Sequence, residues 1–270
     1  MNKAICTVYR AFFRYNRQLQ AAGQKLEIRT PLDKEAYRTA SYAWVVNESA
    51  SRQDLVELVL PNILEVPESG VFSPAALRTC IRANFAASKT APLEQQGQLL
   101  DQAFGALRTL SEQMHMQDCS SDSVTDGIRI NVTSAYIGKV PVSTVATKNL
   151  FTYRVRVTNV GDNKAKLMGR QWIIQDDKGK VVDQVAGPGV VGNTPLLKPY
   201  DCFQYYSSAM LESMQGAMHG SFQMLRTDSA SQQEFDANIQ PFRLIASSHT
   251  SHSVTASPAI DISMIADDHD

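Results

Sequence analysis

The sequence predicts two structural classes in one chain, an N-terminal helical bundle followed by an antiparallel β-sandwich. In the first 118 residues apolar positions recur at the spacing of one helix face, and almost none alternate. Beyond residue 127 short segments alternate between apolar and polar positions, with no helical segments between them. We therefore predict a helical domain over residues 1–118, a linker over 119–126, a sandwich over 127–247 and a flexible tail over 248–270.

Composition and charge limit the function classes open to this chain. Its 270 residues are 43% hydrophobic and 20% charged, as in soluble globular proteins that bury a core. A net charge of −1 disfavours a nucleic-acid binder, and no apolar run reaches the roughly 18 residues of a membrane span. The four cysteines form no C-x-x-C pair, so the sequence supports neither a zinc site nor a disulfide framework. No cofactor and no metal are expected.

The helical half contains several segments with helix signals. AICTVYRAFFRYNRQLQAA is amphipathic, with apolar residues from Ile5 to Leu19 near one stripe. Asp33 is the predicted N-cap of a helix in KEAYRTASYAWVV, and residues 51–64 predict another. Ser73 followed by Pro74 is typical of a helix start, and residues 92–116 repeat leucine and alanine at helical spacing.

The second half predicts six or seven short strands. LFTYRVRVTNVG alternates apolar and polar residues, and RQWIIQDDKGKVVDQV has the strand, Asp-Lys-Gly turn and strand of a β-hairpin. So many strands without interleaved helices favour an antiparallel sandwich. Trp172 and Phe203 are the simplest candidates for its core.

A glycine-rich loop, VAGPGVVGN, carries Gly187, Gly189 and Gly192 at the G-x-G-x-x-G spacing of a dinucleotide-binding turn. Such a turn needs a helix directly after the glycines, because the pyrophosphate lies on the N-terminus of that helix. Here Pro195 and Pro199 follow, and then a strand-like segment. We therefore reject a Rossmann motif and expect glycines that serve the backbone geometry of a wide loop. An anion cradle formed by the loop amides is the alternative.

The motifs around this loop have a specific combination. Three motif residues precede it in RQWIIQDDKG: Arg170, Trp172 and Asp176. Together with the loop, KPYDCFQYYSS and GAMHGSFQM, they resemble the ApaG family over residues 127–246, with Tyr200 in place of a family glycine and Phe222 in place of a tyrosine. The resemblance implies a fibronectin type III or immunoglobulin-like sandwich and a role as an interaction module, or one linked to metal efflux as in bacteria. It implies no catalytic activity.

The first helix resembles the Leu-Tyr-Arg (LYR) motif helix of a superfamily of small mitochondrial factors. Val8 replaces the leucine, and Tyr9 and Arg10 are kept. In LRTCIRANF, Arg82 and Phe85 take the places expected in that superfamily's second helix. The resemblance implies docking of an acylated acyl carrier protein and the assembly of larger complexes.

The cationic face of the first helix supports several interpretations. The residues expected to dock a partner are Tyr9, Arg10, Arg14, Arg17, Arg82 and Phe85. Arg10, Arg14 and Arg17 form a stripe suited to an acidic helix. A solvated basic face is one alternative. A cleaved transit peptide is another alternative, because the first acidic residue is Glu27. We therefore expect a mitochondrial location, with the cytoplasm or another organelle as the alternative.

The remaining candidate residues point to no chemistry. No Ser/His/Asp or Cys/His set has the context of an activated nucleophile, so we expect no enzyme. Asp176 and Asp177 are interpreted as turn residues, and His249 and His252 lack a third metal ligand. The leading hypothesis is a non-enzymatic adaptor or assembly subunit, whose sandwich binds a partner protein and whose helices dock a partner such as an acyl carrier protein. The alternative is a small-ligand protein whose glycine loop takes pyrophosphate, a nucleotide or a divalent metal.

Overall fold

The computed structural model describes residues 3–39, 42–45, 70–227 and 233–246. The chain divides into two compact units, each made of two stretches of sequence. The helical unit is Met1–Pro31 with Asn47–Asp118, and the sandwich unit is Leu32–Val46 with Cys119–Asp270. The helix predicted over residues 51–64 and the tail from residue 248, with its two histidines, lie outside the described residues.

The described helices all lie before residue 119, with three short strands between them, and the long antiparallel strands follow. The described helices are α1 (Lys3–Ala21), α2 (Pro74–Ala87) and α3 (Leu93–Asp118), with short 3-10 turns at Ala36–Thr39 and Ser88–Thr90. The described strands are β1 (Leu26–Glu27), β2 (Tyr42–Val45), β3 (Val71–Phe72), β4 (Ser120–Thr125), β5 (Ile128–Pro141), β6 (Thr147–Asn159), β7 (Ala165–Asp176), β8 (Val181–Pro188), β9 (Leu196–Leu197), β10 (Cys202–Leu211), β11 (Gln215–Arg226) and β12 (Gln233–Ile245). Within these ranges, no helix has the length and apolar character needed to cross a membrane.

The helical unit is organised around α1, which packs against both α2 and α3. It buries Val8, Phe12 and Leu19 along one side, as its amphipathic pattern predicts. The predicted start of α2 is confirmed, because Ser73 Oγ accepts a hydrogen bond from Ala76 N at 3.1 Å and proline takes the first helical position.

Two glutamines on α3 hold the chain that follows α1. In the described ranges β1 pairs with β3 over two residue pairs. Gln113 accepts a hydrogen bond from Arg29 N at 2.8 Å and donates one to Arg29 O at 2.9 Å. One helical turn later, Gln117 accepts from Glu27 N at 3.1 Å and donates to Lys25 O at 3.0 Å. These side-chain amides act as a neighbouring strand would, and they satisfy backbone groups that the small sheet leaves open.

The sandwich unit consists of two antiparallel sheets. The first has the strand order β2-β10-β6-β5-β4, and the second has the order β12-β11-β7-β8, with β9 also paired to β7. Trp172 and Phe203 are buried, as predicted. The ring centroids of Trp172 and Tyr153 lie 5.5 Å apart, and Phe242 lies 5.9 Å from Tyr153. Aromatic rings from both sheets therefore fill the space between them.

The helix predicted to begin after Asp33 is wrong. A 3-10 turn at Ala36–Thr39 precedes β2, which pairs with β10 of the sandwich. Tyr42 and Trp44 alternate along this strand and face aromatic residues of β10. Pairing with a strand distant in sequence overrides the weak local preference for a helix.

The linker predicted over residues 119–126 is also wrong, because most of it is the edge strand β4. β4 pairs with β5 from Ser120↔Thr133 to Thr125↔Ile128, and Arg129 Nη2 lies 2.6 Å from Asp122 Oδ2. Its polar sequence suits an exposed edge. Asp126 and Gly127 both have positive φ, at 46° and 77°, so they form the two-residue Asp-Gly turn of a hairpin.

Candidate functional site

The described part of the helical unit contains an apolar cavity of about 1000 Å³. α1, α2 and α3 all contribute to its walls. Its deep part is lined by residues that are themselves buried, Phe12, Leu77 and Leu110. Packed protein interiors rarely contain voids much larger than a water molecule. This volume instead falls in the range of small-molecule and cofactor pockets, roughly 300–1000 Å³.

Aromatic rings form one wall of the cavity. The ring centroid of Phe85 lies 4.9 Å from Tyr9 and 6.0 Å from Phe12, both in edge-on arrangements. Tyr9 also contacts Phe13, at 4.7 Å. These contacts fix the rings against one another, so this wall of the cavity is held in place by its own aromatic contacts.

Cationic side chains surround this wall. Arg10 and Arg82 line the cavity, as does Lys89 just after α2, and all three are exposed. The Arg82 guanidinium also lies 5.8 Å from the centroid of the Phe13 ring. Neither α1 nor α2 contains an aspartate or glutamate, although the whole chain has a net charge of only −1. No acidic residue on α1 or α2 therefore offsets the positive charge that these two helices bring to the cavity.

Four of the six predicted docking residues meet at the cavity: Tyr9, Arg10, Arg82 and Phe85. Arg14 and Arg17 are exposed further along α1 and do not line it. Within the described part of the chain, Arg10, Arg14 and Arg17 form no ion pair or side-chain hydrogen bond. The stripe is thus open to a partner along its whole length.

Sequence reasoning missed the α3 side of the cavity. Leu99, Ala103 and Ala106 line it, whereas Phe104 on the same helix is half exposed. Their helical periodicity indicated burial against a core. The small size of the two alanines was the signal of a gap, because two large side chains at those positions would fill it.

The glycine-rich loop is a compact turn. Val190 N donates to Asn193 O and Asn193 N donates to Val190 O, both at 2.8 Å. The two residues between them, Val191 and Gly192, have φ of 45° and 71°, which makes this a two-residue turn with both central residues left-handed. Gly189 also has a positive φ, 61°, and an added Cβ there would lie 2.5 Å from Asn193 O. Gly189 and Gly192 therefore serve backbone geometry.

Arg170 on β7 holds the loop in place. Its Nη1 atom donates to Gly189 O at 3.0 Å and to Pro188 O at 3.2 Å. Gly187 differs from the other two glycines, since its φ is not in the left-handed range and an added Cβ there would lie at an ordinary contact distance of 3.5 Å from Arg170 Nη1. The loop directs carbonyl oxygens to a cation, an arrangement unlike an amide cradle for an anion. In the described ranges no group of three or more His, Cys, Asp or Glu side chains could hold a metal ion.

The sandwich matches known proteins. The family model of the ApaG domain (DUF525) matches residues 142–226. Protein ApaG of Anaeromyxobacter dehalogenans is 41% identical over 125 residues, which are 46% of this chain and 94% of that protein. The chain belongs to the ApaG family. Protein ApaG of a Shewanella strain is 40% identical over 122 residues, which are 45% of this chain and 93% of that protein.

A solved structure is also similar to part of this chain. A crystal structure from Bordetella pertussis, of a protein given the name ApaA, is 32% identical and has a TM-score of 0.39. It covers 44% of this chain and 92% of its own chain. The ApaG family match lies wholly inside the sandwich unit. The LYR resemblance of the helical unit gains no support from it and stays a hypothesis.

One departure from the ApaG pattern has a structural cost. Lys198 to Asp201 form a turn closed by a 3.0 Å hydrogen bond from Asp201 N to Lys198 O. Pro199 is its second residue, and Tyr200, the third, has a φ of 69° and is 81% exposed. A type II turn requires positive φ at this third position, which explains the glycine of the family pattern. Here a tyrosine adopts that conformation without burying its ring.

Proposed function

We propose that this chain is a non-enzymatic adaptor, whose helical unit docks an acylated acyl carrier protein and whose ApaG sandwich binds a separate partner protein. The observation that supports the docking role is the cavity beside Tyr9 and Phe85, an apolar space bordered by cations on two helices that lack acidic residues. An acyl carrier protein offers the complement, an acidic helix and a long apolar chain.

The two parts of this surface act at different stages of docking. Exposed arginines attract an acidic partner and raise the rate of encounter. The apolar cavity then takes the acyl chain from water, which stabilises the complex by about 0.8 kcal/mol for each buried methylene group. A carrier without its chain meets only the first part, so the surface selects for the acylated form.

The cavity favours this proposal over a merely solvated basic face. A solvated basic face would explain the cations but not the cavity beside them. A transit peptide would not explain why α2 and α3 line the same cavity as α1. In this unit Phe85 of α2 and Ala103 of α3 line the same cavity as Arg10 of α1. Mitochondrial location belongs to the same proposal, since the LYR resemblance implies it.

The test uses the full chain and a purified acyl carrier protein in two forms, loaded with a myristoyl chain or carrying the free pantetheine thiol. Wild-type protein should bind the acylated form at least tenfold more tightly. Arg14→Glu/Arg17→Glu should weaken both complexes more than tenfold, with an unchanged melting temperature, because exposed charges contribute little to folding. Ala103→Phe should remove the preference for the acylated form by filling the cavity.

A matched control carries the same charge reversal on the sandwich, Lys178→Glu/Lys180→Glu, at two exposed positions of the β7–β8 turn. It should bind both carrier forms as the wild type does. Equal binding by the Arg14/Arg17 variant would disprove docking at α1. If residues 1–26 are removed from the mature protein, docking is also excluded, and the sandwich must act alone.

A further inference from the structure

Among the residues that the structure describes, the outer edge of β10 is paired along only part of its length. On its inner side β10 pairs with β6 through all ten residues, from Cys202↔Thr158 to Leu211↔Asn149. On its outer side β2 pairs with four of them, from Cys202↔Val45 to Tyr205↔Tyr42. The 3-10 turn at Ala36–Thr39 also contacts β10. We call β2 and this turn the edge strap.

The edge strap shows which side chains this edge accepts. Tyr42 and Trp44 stand on the same face as Phe203, which belongs to the sandwich core. The Tyr42 ring stacks on Phe203 with centroids 5.7 Å apart, and the Trp44 ring meets it edge-on at 5.6 Å. A strand at this edge therefore contributes main-chain hydrogen bonds and two aromatic side chains at alternate positions.

The contacts between the edge strap and β10 are weak enough for another strand to replace the strap. Tyr42 is 51% exposed and Trp44 48% exposed, so each ring buries only part of its surface. Four residue pairs at a sheet edge make few hydrogen bonds, and such elements open locally at a free energy well below that of global unfolding. The ApaG family match contains β10 but not β2, so the strap is an addition outside the matched domain.

We propose that the outer edge of β10 is a docking site for an extended peptide segment of a partner protein, and that the edge strap is its displaceable internal occupant. The segment has aromatic residues at alternate positions, as in Tyr-x-Trp, and is long enough to pair beyond Tyr205 towards Leu211. The strap competes as a tethered ligand, at an effective concentration in the millimolar range. A longer strand overcomes this because it forms more ladder hydrogen bonds with β10. This site is independent of the helical cavity.

The probe is a fluorescein-labelled peptide that ends in Tyr-Ala-Trp-Val, preceded by alternating Thr and Lys, and that matches the ten residues of β10. Its control has proline at two alternate positions, which removes two ladder donors. Binding to full-length protein is measured by fluorescence anisotropy. Tyr42→Ala/Trp44→Ala, which weakens the strap, should bind the probe at least tenfold more tightly than wild type and should not bind the proline peptide.

A reversible lock makes the test independent of folding defects. Val45 is paired with Cys202, and facing residues of antiparallel strands lie within disulfide reach. Val45→Cys should therefore join the strap to β10 under oxidising conditions, which abolishes probe binding, and release it on reduction, which restores binding to the same molecules. Equal binding by the oxidised and reduced forms, or no binding even by the strap-weakened variant, would overturn the proposal. Dimers formed through exchanged straps would overturn it in favour of a second copy as the occupant.

Discussion

The helical unit and the sandwich unit both enclose apolar side chains, but they use them differently. In the sandwich, rings from two sheets contact one another, with Tyr205 and Phe222 centroids 6.4 Å apart and Trp172 and Phe222 6.1 Å apart. In the helical unit, Tyr9, Phe12 and Phe85 form one wall of a cavity of about 1000 Å³. The sandwich rings stabilise a fold, whereas the helical rings border a cavity of the size of small-molecule pockets.

The arginines of the two units differ in the same way. Three arginines of the sandwich have partners within that unit, since Arg129 pairs with Asp122, Arg156 Nε donates to Gln204 Oε1, and Arg170 Nη1 donates to Gly189 O. On α1, Arg10 and Arg14 extend to solvent with no such partner in the described ranges. Positive charge has a structural role in one unit and is available to a partner in the other.

The largest expected effect contrasts one phenylalanine from each interior. Phe222→Ala should destabilise the sandwich by about 4 kcal/mol, because the residue is fully buried and its removal leaves a new cavity. Phe85→Ala should cost the helical unit only about 1–2 kcal/mol, because this ring lines a cavity that already exists. Urea unfolding of each variant measures both changes. Equal losses would show that the helical cavity closes in solution.

A second contrast lies within the glycine loop. Gly189→Ala should cost about 2 kcal/mol, because a methyl group there meets Asn193 O and the backbone has positive φ. Gly187→Ala should change stability by about 0.5 kcal/mol or less, since it meets only Arg170 Nη1 at ordinary contact distance. Thermal unfolding, with a parallel titration of pyrophosphate, measures both. Saturable pyrophosphate binding lost in Gly189→Ala at unchanged stability would restore the ligand interpretation of the loop.

The smallest expected effects are increases in stability. They come from a substitution to glycine in the sandwich and a substitution of glycine in the helical unit. Tyr200→Gly should stabilise the sandwich by about 1 kcal/mol, because the turn holds residue 200 at a φ of 69°. Gly97→Ala should stabilise α3 by a similar amount, about 1 kcal/mol, since nothing lies within 4 Å of an added Cβ and alanine favours a helix. Differential scanning calorimetry measures both shifts. A lower melting temperature for Tyr200→Gly would contradict this prediction and show that the exposed ring of Tyr200 makes a stabilising contact.

Local signals in the sequence predicted most of the fold. The Ser73–Pro74 helix start is present, and Asp176 Oδ1 accepts hydrogen bonds from Lys178 N and Lys180 N in the predicted hairpin turn. Asp126 and Gly127 form an equally local signal, the Asp-Gly turn of a hairpin. The sequence-based prediction instead places the boundary between linker and sandwich there. β2 was not predictable in this way, because its conformation depends on the open edge of β10. The sequence signal for the cavity is weaker. Helical periodicity shows which side chains face inward, but not whether they fill the space between the helices.

The pairing of β2 with β10 also has a consequence for biosynthesis. Tyr42 and Tyr205 face each other in the sheet but are separated by about 160 residues of chain. At ribosomal rates of roughly 5–20 residues per second, β2 leaves the ribosome about 10–30 seconds before its partner strand. During this interval two aromatic side chains and an unpaired backbone are accessible to chaperones and to other nascent chains. The first sandwich strand to be made is thus the one that waits longest for its neighbour.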